Sequence, residues 1–179
     1  MNRYNHAIHK VFISFYHYDD QKYKDYIDTH FSGMIINKSV MNGEYNSENS
    51  DEYIKRLIRE DKISDSSVIV VLIGKNTKNR KHVDWEIYAG LSDSINGSAG
   101  LVGIMLPTVR KDFYGKYNCN DMPQRFADNL RSGYASLYEW EYAIKHFSAI
   151  IEQAFQNRKI KRNLIRNTRI QMKYNRQGR

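Results

Sequence analysis

The chain has one cysteine, two prolines and no uninterrupted apolar run longer than six residues. Each shortage excludes something. A lone Cys119 cannot close an internal disulfide, so packing must hold the fold, and a reducing, cytoplasmic setting is the expectation. The longest apolar run, residues 68–73, falls far short of the ~20 residues a spanning helix needs, so no membrane segment is expected. The opening residues, MNRYNHAIHK, have no apolar stretch of the kind a secretory leader requires. Several chemical signatures are missing too. No GxGxxG follows an apolar run, GKNTK at 74–78 lacks the spacing of a Walker loop, and no GxSxG elbow occurs. Cys119 has no base beside it in sequence. His6 and His9 form a lone HxxH that reads as solvated rather than metal-bound, and no metal site is expected.

Acidic residues are absent from one region altogether. The net charge of +8 comes from 28 Lys and Arg against 20 Asp and Glu. Nine of the cations lie at 158, 159, 161, 162, 166, 169, 173, 176 and 179, with no acid among them. Removing those nine leaves 19 cations against 20 anions in residues 1–157, so the basicity belongs to the tail and the body is not a basic nucleic-acid surface. The division read from this is one domain over residues 1–157 and a basic extension over 158–179. The extension reads as a partly disordered, solubilising end. The alternative is that it continues the last helix and meets a partner, nucleic acid or an anionic surface.

Along the body, short apolar runs alternate with amphipathic stripes. KVFISF at 10–15 suits a buried strand, and Asp19 and Asp20 then start a helix carrying Tyr23, Tyr26, Ile27, His30 and Phe31 at helical spacing. Residues 34–40 are a second strand candidate, and 41–52 a long polar loop with Asn42-Gly43. Asn49 with Glu52 suggests a capping box for a helix bearing Tyr53, Ile54, Leu57, Ile58 and Ile63. Residues 68–73 are continuously apolar, as a strand covered on both faces should be. A polar loop with two Asn and four cations follows, and then a helix over 82–95. Residues 101–106 are the fourth strand, 108–133 are irregular, 134–140 form a last short strand, and 140–157 form a helix. This alternation predicts an α/β fold with a parallel, doubly wound sheet.

Within the third helix Glu86 stands near the start, with Ala89 and Gly90 three and four residues on. Small neighbours on one face leave room beside the carboxylate. The position after a strand end is also where open α/β sheets form their clefts. A solvated helix charge is the ordinary alternative and stays open at this point. The aromatics Phe15, Tyr16, His17 and Tyr18 would spill over the top of the first strand, where rings can stack on a base or merely pack on the helix.

The order and spacing of KVFISFYHYDD, SVIVVLIG and KNTKNRKHVDWEI resemble the TIR domain family, more narrowly the bacterial TIR-like group of the Thoeris anti-phage ThsB proteins. The likeness covers residues 9–155 and implies a flavodoxin-like, three-layer fold with about five parallel strands and helices on both faces. It also implies an NAD+ nucleosidase or ADP-ribosyl cyclase-like activity, with Glu86 as the catalytic carboxylate. NAD+ is then a substrate and no cofactor is expected. Ser14, Phe15, Tyr16, His17, Trp85 and Lys75 (or Lys78, toward the pyrophosphate) are the expected substrate-binding residues. Asn42 and Gly43 sit in a loop able to close over them. The partners implied are further copies of the chain, a downstream NAD-depleting effector reached through a diffusible nucleotide signal, and a phage-derived trigger. Residues 41–52 lack the receptor-type loop signature of many TIR domains. Two other readings stand beside this one: a non-catalytic TIR adaptor, and a nucleoside deoxyribosyltransferase-like enzyme, which shares a related sheet and a catalytic glutamate.

Overall fold

Six β-branched or leucine side chains in succession need cover on both sides, and the chain supplies it. A computed structural model describes residues 8–37, 50–93 and 97–176, with the side chains of 37, 59, 61 and 62 left out. In it β3 (Val68–Ile73) is buried at every position and lies at the centre of the sheet. Its side chains alternate between two cores: Val68, Val70 and Leu72 join one, Ile69, Val71 and Ile73 the other. Beside it run β1 (His9–Ser14) and β4 (Gly100–Met105), with β2 (Ile35–Asn37) and β5 (Ser136–Glu139) at the edges. The order is β2-β1-β3-β4-β5, all parallel.

One face is covered by α1 (His17–Phe31), α5 (Trp140–Lys145) and α6 (Phe147–Ile160), which contribute Ile27, Trp140, Phe147 and Ile151 to its core. The other carries α2 (Asp51–Leu57) with a π-helical turn at Ile58–Ile63, α3 (Lys81–Leu91) and α4 (Gln124–Arg131). The expected three-layer α/β architecture is therefore present, and its order reverses between β1 and β3, where folds of this strand order form their ligand crevice.

Several local expectations need correction. The third helix closes at Leu91, where Ser92 turns extended (φ −70°, ψ 144°). The stretch read as irregular contains α4. Its buried positions include Arg125 and Asn129, so no apolar stripe announces it. The last helix is broken at His146 into α5 and α6. The expected capping box is replaced by Ser50, whose hydroxyl accepts from the Tyr53 amide at 3.3 Å; Asn49 lies outside the described residues. His9 is not solvated: it is buried, with Nε2 2.7 Å from Glu152 Oε2.

Over its described residues, 158–176, the extension begins as a short continuation of the last helix and then packs back on the body. α6 runs past residue 157 to Ile160, a 3-10 turn follows at Arg162–Leu164, and residues 165–176 lie as a strap across α4 and α3. Asn129 is bonded to the Arg166 backbone on both its amide and carbonyl sides, at 2.7 and 2.9 Å. The Asn167 side chain donates to the Tyr88 carbonyl at 3.0 Å. No helix among the described residues is long and apolar enough to cross a membrane.

Candidate functional site

Strand parity decides which side chain meets α3. In β1, Phe12 faces the α3 side while Val11, Ile13 and the following Phe15 face the α1 side. Ser14, two residues after Phe12 and last in the strand, therefore turns toward α3, and its hydroxyl donates to Glu86 Oε2. Ser14 is 1% exposed and Glu86 4%. A carboxylate taken out of water needs such a donor. So Glu86 is a buried acid held at the carboxyl end of β1, not a solvated helix charge.

The small residues beyond it do not make a hollow. A Cβ on Gly90 would lie 1.8 Å from Ile69 Cδ1, so this glycine exists to let α3 press on the sheet.

The segment joining β3 to α3 is pinned at nearly every residue. Gly74 ends the strand against the carboxylate of Asp20, where a Cβ would fall 2.3 Å from either oxygen. The Thr77 hydroxyl accepts from the Gly74 amide at 2.9 Å and stands 3.1 Å from Asp20 Oδ2. Asn76 donates to Asp19 at 2.7 Å, and Lys78 to Asp121 at 2.7 Å. The Arg80 guanidinium lies 3.8 Å from the centre of the Tyr16 ring. Asp20 is fully buried and its Oδ1 accepts no hydrogen bond among the described residues. Burial pushes its pKa up to about 6, against the pull of the Thr77 hydrogen bond. On α3, burial drives His82 down to about 4, helped by neighbouring Lys81. His17 is lowered as well, chiefly by burial.

The outer side of α3 is fastened differently. Asp84 receives Nε and Nη2 of Arg125, at 2.9 and 3.3 Å, and the amide of Met172 at 2.8 Å. Arg125, wholly buried, also donates to the Asn167 carbonyl and side chain and to the Arg169 carbonyl. The first amide of the helix, Lys81, is capped by the Asn175 side chain at 2.9 Å, and the Arg176 amide reaches the Asn79 carbonyl at 2.9 Å.

These contacts sort the expected site residues. Ser14 and Glu86 come together. Tyr16 is half-buried under Arg80, and His17 packs edge-on against Phe15 with centroids 4.3 Å apart. Phe15 is 6% exposed and belongs to the core on the far side of the sheet from Glu86, which corrects its reading as a ring-holding wall. Trp85 is corrected likewise. It is 1% exposed, its indole N–H donates to the Met172 carbonyl at 2.8 Å, and Lys81 and Lys55 lie 4.9 and 5.0 Å from its ring centre. Lys75 is exposed at the turn, while Lys78 is committed to Asp121. Asn42 and Gly43 lie outside the described residues. Sequence reading missed Asp20, Thr77, Arg80, Asp84 and Arg125; the only hint was the cluster of polar residues flanking an apolar strand. No group of three or more His, Cys, Asp or Glu able to hold a metal occurs among the described residues. A fixed, buried carboxylate at a sheet's carboxyl edge can stabilise a cation forming beside it, because its field is little screened there. A family model described as the TIR-like domain of Thoeris protein ThsB matches residues 12–111.

Proposed function

The chain belongs to the ThsB TIR-like domain family of Thoeris proteins, and from that membership we propose that it is an anti-phage enzyme that cleaves NAD+ between nicotinamide and ribose and recloses the product into a cyclic ADP-ribose-type signal. The bond from ribose C1′ to the pyridinium nitrogen breaks. Nicotinamide leaves with the electron pair as a neutral molecule, so no strong acid is required. The positive charge left on the ribose resembles that in glycoside hydrolysis, and Glu86 opposes it. Ser14 holds the carboxylate in place. The adenosine end then attacks C1′ and gives up a proton, which requires that water be kept from the cleft. The signal released activates an NAD-depleting effector in the cytoplasm, and self-association and a phage trigger turn the reaction on.

One observation carries this reading: Glu86 is sequestered from solvent, with the Ser14 hydroxyl donating to it, at the β1–β3 switch point. A buried acid also suits a non-catalytic adaptor, so the test must be turnover. With NAD+ at high protein concentration, the wild type should release nicotinamide, and Glu86→Gln should do so roughly 10²–10³-fold more slowly while melting within a few degrees of it. Equal release by the two proteins would refute the role of Glu86. No release by concentrated wild type, with or without phage lysate, would favour the adaptor.

A further inference from the structure

On the side of the molecule where the strap leaves α4, Asp128, Arg131, Ser132, Arg166, Thr168 and Arg169 line a hollow of about 380 Å³. None of these residues belongs to the site described above. Two guanidinium groups converge here on a single carboxylate, and a third lies in the same lining. Asp128 takes Nε and Nη2 of Arg169, at 2.7 and 2.9 Å, and Nη1 of Arg131 at 3.3 Å. Arg166 meets no acid among the described residues; its Nη1 turns back on the carbonyls of Asn163 and Ile165, at 3.4 and 3.1 Å. Three cations against one anion leave the lining at +2. Gathering like charges in one concavity costs energy that a bound anion would offset.

The donors also suit one class of anion. Guanidinium forks pair with the oxygens of a phosphate in a bidentate manner, and the Thr168 hydroxyl adds a further donor. The Ser132 hydroxyl is spent on the Asn129 carbonyl at 3.0 Å and is not one of these donors. We propose that the hollow between α4 and the strap binds the phosphoryl group of a small phosphorylated molecule. Its volume lies at the lower end of the range for small-ligand sites, and its cations are gathered in a concavity rather than strung along a track as a nucleic-acid backbone would need. The proposal does not depend on the reaction assigned to Glu86.

Calorimetric titration of the full chain with inorganic pyrophosphate at low ionic strength is the test. Saturable one-site binding is expected, weakened about tenfold or more by the paired change Arg131→Ala and Arg166→Ala, and unchanged in Glu86→Gln. Should the double variant melt early, Arg131→Gln alone, at a side chain 52% exposed, carries the comparison with an expected severalfold loss. Three results would overturn the assignment: no binding up to millimolar pyrophosphate, equal affinity in the arginine variants, or markedly tighter binding in Glu86→Gln, which would place the anion in the cleft beside that carboxylate. A single-stranded oligonucleotide that binds more tightly than pyrophosphate, with a steep salt dependence, would also overturn it by making this face a nucleic-acid surface.

Discussion

Two acids stand two residues apart on α3 and are buried to the same degree, Asp84 and Glu86 both 4% exposed. Their surroundings differ. Asp84 faces a guanidinium and a backbone amide from the strap, so its charge is matched inside the protein. The Glu86 side chain faces the sheet and meets the neutral hydroxyl of Ser14. Asp84 is held from the outer side of the helix by a guanidinium fork and an amide, and Glu86 from the sheet side by a hydroxyl donor. Equal burial therefore leaves the roles of the two acids to be separated by substitution.

Four changes would break or sharpen that contrast. The largest effect belongs to the structural side. Arg125→Ala strands Asp84 as an uncompensated buried charge and should cost about 3–5 kcal/mol of stability in urea denaturation. A cost near zero would show that the strap's contacts are loose. Next comes Ser14→Ala, which removes a hydrogen bond to a charged group worth about 1.5–3 kcal/mol. If that energy is lost from the reaction, nicotinamide release falls about ten- to a hundredfold, and the pH–rate profile moves as well. A loss of stability with an unaltered rate would put Glu86 in the same class as Asp84.

The smallest effect is a slope. The Asp20 pKa is raised from 3.8 to about 6, so the folded state holds its proton more tightly, and its contribution to stability grows as pH falls through 6 toward 4. The His82 pKa is lowered from 6.5 to about 4, so the unfolded state binds the proton first, and its contribution shrinks as pH falls over the same window. The two trends oppose each other. Asp20→Asn should steepen the acid loss of stability between pH 6 and 4, and His82→Gln should flatten it, as read from melting temperatures across that window.

Much of the layer plan was readable because apolar strands declare themselves: residues 68–73 needed cover on both faces and have it. Ser14 entered the expected site with the family resemblance, and its turn toward α3 shares the parity of Phe12 in the structure. What escaped was polar burial. Arg125 and Asn129 sit where an apolar stripe would be sought, so α4 read as irregular. The strap looked like a solubilising tail because much of its fastening is through backbone groups, among them those of Arg166, Arg169 and Met172, which composition does not reveal. Trp85 misled for a related reason: adjacency to Glu86 in sequence puts it on a different face of a helix.

The amide that completes the shell around Asp84 comes from Met172, 88 residues downstream. At ribosomal speeds of about 5–20 residues per second, roughly 4–18 s separate the synthesis of the two. During that interval a nascent chain can assemble β1, β3 and α3 with their acid in place, but the helix lacks its outer clasp. The outer side of α3 would thus be closed late in translation, well after the segment bearing Glu86 has emerged.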